Sequence, residues 1–337
     1  MPALVGVPGR HARAAYDVAV LSGQRIFITG GAGFIGSALA GTLLDDNQVV
    51  VYDNLTRNAL VDRAWAEHAN LTLIQGDVCD AAGVSTAMAG ATHVVHCAAI
   101  AGIDTVIKRP VDTMRVNILG SANVLQAAAD HGVSGRVVCF STSEVFGQHG
   151  FRSSETDNTV MGAVGEARWT YAVGKLAEEH LAIAHHQQDG LPVMIVRPFN
   201  VYGPGQIGEG AMRAFVQKAI TDQPIEIHGD GTQIRAWCYV DDMVRGVHLA
   251  LTHPDAVGES FNIGNQRAVV TIYGLANTVV RVLGSSSQIS FVRKDYADVE
   301  LRVPSVAKAR DVLGFEAEID LDEGIRRTAE FYRRAAG

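Results

Sequence analysis

A tyrosine and a lysine, four residues apart in this sequence, are spaced to act together in proton transfer. Tyr171 and Lys175 lie in the run YAVGK, within a predicted helix from about Trp169 to Gln188. Residues at positions i and i+4 share one face of a helix. An ammonium beside a phenol favours the phenolate, so Tyr171 could take the proton of an alcohol while hydride leaves the same carbon.

A cluster of hydroxyls and one carboxylate precedes this pair in the chain. The apolar run RVVCFS ends at Ser141 and continues into Thr142, Ser143 and Glu144. Ligands of open α/β sheets gather at the carboxyl ends of the strands, so these side chains are candidates to hold or protonate a reacting group. The structural alternatives are a capped strand end for the hydroxyls and a surface turn for Glu144.

Three glycines predict a dinucleotide site. The run TGGAGFIGS places Gly30, Gly33 and Gly36 directly after an apolar strand and at the start of a helix. Glycine allows the tight turn and the close approach of backbone N–H groups to a pyrophosphate, which also meets the positive end of the helix. The position between a strand and a helix raises this pattern above a chance match.

Two acidic residues extend the predicted cofactor site. Asp53 ends the second predicted strand, 23 positions after Gly30. There it could accept both ribose hydroxyls and repel a 2′-phosphate, which favours NAD over NADP, although Arg57 slightly weakens that preference. Asp77 could reach the adenine amine or cap the next helix, which Asp80 could do equally well. The complete predicted cofactor set is Gly30, Gly33, Phe34, Ile35, Gly36, Asp53, Asn54, Asp77, Val78, Ala98, Tyr171 and Lys175.

The elements that must position these residues follow a regular repeat. Apolar runs end at Thr29, Asp53, Gln75 and Cys97, spaced by 22 to 24 residues, which is one strand plus one helix. Longer helical stretches cover Pro110 to His131 and Trp169 to Gln188, and a further strand ends at Arg197. Continuous Val/Ile runs are typical of buried parallel strands. The fold class predicted is α/β, a Rossmann-type doubly wound parallel sheet with a smaller C-terminal α/β substrate lobe.

The change in composition after Arg197 suggests where one domain of the chain ends and another begins. Glycine and proline cluster in FNVYGPGQIGEG, and helices then alternate with the short strands PIEIHG, SFNIG and QISFV. We expect a cofactor domain over 23–196, joined again by 236–264, and a lobe formed by 197–235 and 265–337. Residues 1–22 are expected to be a flexible extension.

Composition excludes several classes. The 337 residues carry a net charge of −8, which argues against a nucleic-acid partner. No apolar run reaches the 18 or more residues of a membrane span, so no membrane partner is expected. The four cysteines are dispersed and the histidines show no ligand spacing, so no metal site is expected. Dispersed thiols in apolar runs suggest a reducing, cytoplasmic location.

Together these motifs resemble the extended short-chain dehydrogenases of the nucleotide-sugar epimerase/dehydratase family, over nearly the whole chain. The resemblance implies NAD as cofactor and Thr142, Tyr171 and Lys175 as catalytic residues, with Ser143 as an alternative hydroxyl. RPFNVYGPG, GDGTQIRAWCYVDD and DVELRVPS look like the family's substrate segments. They imply contacts to the diphosphate and sugar of a nucleotide-sugar substrate from Asn200, Arg235 and Arg302. Arginine forks suit diphosphates.

Some positions resemble those of particular groups of enzymes within this family. Trp169-Thr170 before Tyr171, the run STSE and the pattern DVE-x-R-x-PS resemble bacterial UDP-glucuronate decarboxylases, and STSE also resembles GDP-mannose 4,6-dehydratases. Gly174 before Lys175 departs from the usual serine and has no evident cause in the sequence. The expected reaction is oxidation of C4 of a nucleotide-bound hexose, with dehydration or decarboxylation slightly favoured by Glu144 over plain 4-epimerisation.

Other interpretations stay open from sequence. An NAD-binding regulator without turnover would typically lack Tyr171 or Lys175, and a reductase of simple ketones would not need a diphosphate clamp. Asp104 could touch the sugar or cap a turn. The helices Pro110–His131 and Trp169–Gln188 could pair across a homodimer as a four-helix bundle, or pack only on the sheet of their own chain.

Overall fold

The structure is a computed structural model that describes residues 21–293 and 299–336. The predicted extension over residues 1–22 lies outside these ranges except for its last two residues. The strands, in chain order, are β1 Arg25–Thr29, β2 Gln48–Asp53, β3 Leu71–Gln75, β4 His93–His96, β5 Arg136–Phe140, β6 His149–Ser153, β7 Val193–Pro198, β8 Val201–Tyr202, β9 Ile225–His228, β10 Ile234–Ala236, β11 Cys238–Tyr239, β12 Ser260–Ile263, β13 Val269–Thr271, β14 Ile289–Val292 and β15 Leu301–Pro304.

The helices alternate with these strands through most of the chain. They are α1 Phe34–Leu43, α2 Ala81–Met88, α3 Ile103–Lys108, α4 Pro110–Arg115, α5 Ser121–Asp130, α6 Thr170–Asp189, α7 Ala211–Ala219, α8 Val240–Thr252, α9 Ile272–Leu283, α10 Ala307–Leu313 and α11 Leu321–Ala336. Short 3-10 turns cover Leu60–Asp62, Ser143–Phe146, Ala167–Trp169 and Pro254–Ala256.

Seven parallel strands form the main sheet, in the order β12-β7-β5-β4-β1-β2-β3. Consecutive side chains of a strand point to opposite faces, and both faces are covered here. Ile26 and Ile28 of β1 belong to the apolar core shared with α1 and α8, whereas Phe27 belongs to the core shared with α2 and α5. The predicted doubly wound α/β fold is therefore confirmed. The strand order reverses between β1 and β4, where such sheets bind ligands.

The predicted helix Pro110–His131 is a continuous helical stretch with a wider turn inside it. A π-helical turn, Val116–Gly120, joins α4 to α5. Its Asn117 is fully buried and both accepts a hydrogen bond from Ile100 N (2.9 Å) and donates one to Ile100 O (3.1 Å). Single π-helical turns inside α-helices are frequently found at functional sites. This one ties the helix to the loop that follows β4.

Three smaller sheets lie outside the main sheet. Strands β13-β10-β15-β6 form a four-stranded sheet, while β14 pairs with β9 and β11 with β8. The run SFNIG, expected to return to the first domain, forms β12 beside β7. Strand β6 was not predicted. It lies within 23–196 but pairs with β15, which follows residue 265. Strand pairing therefore crosses the predicted boundary at residue 197 in both directions.

Two features are absent from residues 21–293 and 299–336. No helix in these ranges combines the length and apolar character that crossing a bilayer requires. The same ranges contain no group of three or more His, Cys, Asp or Glu side chains arranged to hold a metal ion.

Candidate active site

A cleft of about 630 Å³ runs along the carboxyl ends of the main-sheet strands. The glycine loop after β1 lies at one part of the cleft and the residues after β5 at another. Most of the residues predicted for catalysis and binding line this cleft: Gly30, Gly33, Phe34, Ile35, Gly36, Asp53, Asn54, Asp77, Val78, Ala98, Thr142, Ser143, Glu144, Tyr171, Lys175, Asn200 and Arg302.

The glycine loop has the geometry needed to receive a pyrophosphate. Gly30 has φ +66°, and a Cβ there would lie 2.5 Å from Ala98 N. A Cβ on Gly36 would lie 2.4 Å from Gly30 O, so neither position tolerates a side chain. Gly33 precedes α1 and lines the cleft, so its missing side chain leaves room for a ligand at the helix N-terminus. These positions fit a dinucleotide.

Asp53 occupies the position predicted for a ribose contact. Its Oδ2 accepts from Ala32 N (3.0 Å) and its Oδ1 from Leu55 N (2.7 Å). Each carboxylate oxygen retains a further acceptor site for a hydroxyl. Burial raises the pKa of Asp53, although the backbone N–H groups of Leu55, Ala32 and Gly33 oppose that shift. Arg57 is directed away towards Thr105 Oγ1 (3.2 Å) and Glu209 (3.8 Å), so its charge is shared with an acid.

The structure distinguishes the two interpretations of Asp77, which are contact with the cofactor and capping of α2. The cap of α2 is Asp80, whose side chain accepts from Gly83 N (3.1 Å). Asp77 instead accepts from Cys79 N (2.9 Å) in the turn before the helix and lines the cleft. It is therefore placed to contact a ligand rather than to begin the helix.

Tyr171 meets the predicted hydroxyl and ammonium partners. Burial raises the pKa of the Tyr171 phenol, while the Lys175 ammonium and a hydrogen bond with Thr142 act in the opposite direction. The expected lowering by Lys175 is present but smaller than the cost of removing the phenolate from water. Thr142 also begins the 3-10 turn Ser143–Phe146, where its Oγ1 accepts from Glu144 N (3.2 Å). Thr142 therefore both caps this turn and lies at the predicted catalytic tyrosine.

Lys175 is held by an acid that the sequence analysis did not single out. Its Nζ lies 2.7 Å from Glu178 Oε2, and each residue is only 1% exposed. Glu178 stands one turn further along α6, so the i, i+3 spacing was visible in the sequence. The burial of the two side chains, which strengthens their ion pair, could not be seen in the sequence.

Two arginines flank Glu144. Arg302 Nη1 lies 3.8 Å from Glu144 Oε1, and Arg168 Nη2 lies 3.9 Å from Glu144 Oε2. Both arginines are nearly buried, whereas about a quarter of the Glu144 side chain is exposed to the cleft. Arg302 also donates to Gly147 O (2.7 Å), and Arg168 packs over the ring of Trp169. Glu144 is therefore part of the cleft wall rather than a free surface turn. Arg168 was missed, although it precedes Tyr171 by three residues.

Of the remaining residues predicted to bind substrate, one lines the cleft and two do not. Asn200 has φ +37°, donates to Ala236 O (2.9 Å) and lines the cleft. Arg235 does not line it: its guanidinium donates to Ile234 O on β10 and to Val299 O, two residues before β15. Asp104 is exposed in the first turn of α3, and its neighbour Thr105 lines the cleft instead. A helix turns successive side chains by about 100°, so one position decides which residue faces the ligand.

Close packing explains the glycine before Lys175. A Cβ on Gly174 would lie 2.9 Å from Asn117 Cβ. The contact brings α6 against the π turn, the same turn whose Asn117 holds Ile100 at the cleft. The glycine is thus a packing requirement that only the tertiary contact reveals.

A carboxylate from the segment between β8 and α7 bridges the cleft. Glu209 accepts hydrogen bonds from Asp104 N (2.8 Å), Thr105 N (3.2 Å) and Thr105 Oγ1 (2.8 Å) at the start of α3. Arg57, from the loop after β2, lies 3.8 Å from the same side chain. We refer to this contact of Glu209 with Arg57, Asp104 and Thr105 as the Glu209 clasp. The residues are up to 152 positions apart, so no local pattern predicts it.

Comparison with known proteins gives the family. Residues 26–264 match the model of the NAD dependent epimerase/dehydratase family. The chain is 34% identical over 324 residues to UDP-glucuronic acid decarboxylase 6 of Arabidopsis thaliana, covering 94% of this chain and 91% of that protein. It is 32% identical over 322 residues to a UDP-N-acetyl-alpha-D-glucosaminuronate decarboxylase of Bacillus cytotoxicus, covering 92% and 98%.

A solved structure agrees with the fold. The UDP-glucuronic acid 4-epimerase of Bacillus cereus, in complex with UDP-glucuronic acid and NAD, superimposes with a TM-score of 0.85 at 27% identity, covering 92% of this chain and 99% of that one. The chain belongs to the NAD-dependent epimerase/dehydratase family. It is an NAD-dependent enzyme of the nucleotide-sugar epimerase, dehydratase and decarboxylase group, and the predicted cofactor is confirmed at this level.

Proposed function

We propose that this enzyme oxidises C4 of a nucleotide-diphosphate uronic acid of the UDP-glucuronate type and releases its C6 carboxylate as carbon dioxide. The observation that carries the proposal is the grouping of Arg302 and Glu144 with Tyr171 in the cleft wall, with Arg168 3.9 Å from Glu144. Named relatives include decarboxylases of UDP-glucuronic acid and of UDP-N-acetylglucosaminuronate.

The charges of this group favour an anionic sugar. Arg302 Nη1 and Arg168 Nη2 lie 3.8 and 3.9 Å from the Glu144 carboxylate, and Arg302 is only 3% exposed. A guanidinium can bind a carboxylate through two parallel hydrogen bonds, so Arg302 in the cleft wall is suited to the carboxylate of a uronic acid.

The reaction follows from the positions of the side chains. NAD, when bound, supplies the hydride acceptor for C4 oxidation and the donor for the later reduction. Tyr171 takes the proton of the C4 hydroxyl, Thr142 holds that oxygen, and Lys175 stabilises the phenolate. The resulting 4-ketone is a β-keto acid, so the C5–C6 bond can break with its electron pair passing to O4. Arg302 orients the carboxylate while Glu144 holds Arg302 in place. C5 then takes a proton from water, and Tyr171 returns its proton to O4 when C4 is reduced.

Product mass tests the proposal. Purified protein is incubated with NAD and separately with UDP-glucuronate, UDP-, GDP- and dTDP-hexoses, and each product is analysed by mass spectrometry. We expect loss of one carbon dioxide from UDP-glucuronate only. Loss of water from a neutral hexose would refute decarboxylation and indicate a dehydratase. In Glu144→Gln we expect reduced cofactor to form without release of carbon dioxide, and normal release would remove Glu144 from the mechanism.

A second candidate is 4-epimerisation of the same substrate. It is favoured by the similarity to the Bacillus cereus UDP-glucuronic acid 4-epimerase. Both reactions begin with oxidation at C4, so the outcome depends on whether the carboxylate is retained. A new isomer of UDP-glucuronate with unchanged mass would establish epimerisation and refute decarboxylation.

We further propose that two copies pair through α4, the π turn and α6, forming a four-helix bundle. Val111, Leu119 and Val173 on these elements are 78%, 44% and 36% exposed. Exposed apolar side chains on adjacent helices favour burial against a second copy. The cytoplasmic location, and the division into a 23–196 plus 236–264 domain and a 197–235 plus 265–337 lobe, remain predictions.

A further inference from the structure

The catalytic lysine belongs to a buried polar chain that reaches the nucleotide loop. Lys175 Nζ contacts Glu178 Oε2 at 2.7 Å, and Ser121 Oγ lies 3.1 Å from the same oxygen. Ser121 Oγ is also 2.9 Å from His96 Nε2, and His96 Nδ1 is 2.6 Å from Thr29 Oγ1. All five residues are at most 1% exposed. The chain thus joins α6, α5, β4 and the last residue of β1.

The hydrogen bonds of this chain have a consistent direction. Burial and the nearby Lys175 ammonium hold the pKa of His96 well below its ordinary value, so the imidazole is neutral. Thr29 can then donate to Nδ1, and Nε2–H can donate to Ser121. The Ser121 hydroxyl has two acceptors, Glu178 Oε2 at 3.1 Å and Asn117 O at 2.8 Å, and donates to Glu178 when it turns towards the carboxylate. Glu178 accepts at the end of the chain as a carboxylate that faces the ammonium of Lys175. Thr29, His96 and Ser121 are buried and do not line the cleft, so these contacts hold Glu178 from within the protein.

We infer that Glu178 is the counter-ion that keeps Lys175 protonated and fixed beside Tyr171, and is therefore a positioning residue for C4 oxidation. The inference rests on the proposed catalytic pairing of Tyr171 with Lys175. Burial alone can lower the pKa of a lysine by 3 to 5 units. A neutral amine at this position would no longer stabilise the phenolate.

The electrostatic balance around the lysine agrees with this assignment. Burial lowers the pKa of Lys175, but the Glu178 carboxylate and the Tyr171 phenol more than offset it, so the pKa is raised. Burial also raises the pKa of Glu178 against the effect of Lys175 and Ser121. The titratable groups that face the pair from the surrounding elements are His96 and Cys97 at the end of β4, Cys139 on β5, Glu144 after β5, and Tyr171 and Glu179 on α6.

Glu179 provides a matched control on the same helix. It is also buried, but its carboxylate forms a bidentate pair with Arg197 at 2.7 and 2.8 Å. Glu178→Gln and Glu179→Gln each remove one buried negative charge while preserving side-chain size. Only the first removes a charge in contact with Lys175.

The first test is the pH profile of reduced-cofactor formation from UDP-glucuronate. In Glu178→Gln we expect the rate to fall above about pH 8, because the uncompensated lysine loses its proton within the assay range. One pH unit above that midpoint the rate should be about tenfold below its maximum. Wild type and Glu179→Gln should show no such decline, and Glu178→Asp, which restores the charge, should abolish it. An unchanged profile in Glu178→Gln, or the same decline in Glu179→Gln, would overturn the inference.

The second test needs no turnover. The chain has five lysines, so the side-chain NMR signals of labelled lysine can be assigned with a Lys175→Met variant. We expect Lys175 to titrate about 3 units lower in Glu178→Gln than in wild type. Equal titration, or a neutral Lys175 in wild type at pH 7, would refute the inference even if no variant could be purified. A titration shift without activity on any nucleotide sugar would refute the proposed function alone.

Discussion

Replacing Glu209 by alanine should make the enzyme release NAD faster, because the Glu209 clasp joins both walls of the cleft. The carboxylate accepts two backbone N–H bonds and one hydroxyl bond at the start of α3. Opening the cleft at this point requires all three bonds to break. The bridging residues Arg57, Thr105 and Glu209 themselves line the cleft that holds the predicted cofactor set.

The size of the effect can be worked from these contacts. The Glu209 side chain is 28% exposed, so each hydrogen bond contributes towards the lower end of the usual range, about 0.5 to 1 kcal/mol. Three such bonds give about 2 kcal/mol, which corresponds to a change of about 30-fold in the opening equilibrium. Arg57 is 38% exposed and 3.8 Å from Glu209, so its ion pair adds at most about 1 kcal/mol. Arg57→Gln should therefore accelerate release by less than about fivefold.

The assay is displacement of a fluorescent etheno-NAD by excess NAD in a stopped-flow instrument. Glu209→Ala should raise the dissociation rate about 30-fold, and the exposed Glu226 on β9 supplies the matched control, Glu226→Ala. Release from Glu209→Ala within about twofold of wild type would refute the reasoning. A larger effect from Arg57→Gln than from Glu209→Ala would show that the charge pair, and not the hydrogen bonds to α3, holds the cleft closed.

Three further outcomes are expected. Burial lowers the pKa of His248 to about 4, so the unfolded chain binds more protons below pH 6.5 and stability falls as pH decreases. In denaturant titrations, His248→Gln should lose about 2 kcal/mol less unfolding free energy than wild type between pH 7 and 5, and an equal loss would contradict this. Gly174→Ala should destabilise the protein despite the better helix propensity of alanine, because its Cβ would press on Asn117; a gain of about 1 kcal/mol in unfolding free energy would contradict this. Tyr171→Phe should bind NAD in calorimetry but form no reduced cofactor with UDP-glucuronate, and normal formation would remove Tyr171 from the chemistry.

Much of the cofactor site could be predicted because its signals are local. Gly30 must follow a strand directly and Asp53 must end the next one, so two short runs define both positions. The i, i+4 spacing placed Tyr171 and Lys175 on the same helix face, as α6 has them. Strand periodicity predicted the parallel sheet for the same reason, since buried strands are recognised by their own composition.

The substrate side was less predictable because its residues come from separate elements. Arg235 was expected at the diphosphate, but its guanidinium donates to the carbonyls of Ile234 and Val299. Asp104 and Thr105 are neighbours, yet only Thr105 lines the cleft, because the bound start of α3 sets the helix rotation. For a helix of only six residues, the sequence pattern does not predict which side chains face the cleft.

The sequence by itself determined the nucleotide loop, the acidic end of β2 and the tyrosine–lysine pair, because each is specified within one turn or one strand. Only the tertiary structure decided the surroundings of these groups: Glu178 with Ser121 behind the lysine, Arg168 and Arg302 around Glu144, and the Glu209 clasp. Charges acquire their strength from burial and from partners brought together by packing, and both depend on how distant segments meet. The residues predicted to do the chemistry are therefore recognisable from short stretches of sequence, whereas the charges and burial that set their pKa values depend on the fold.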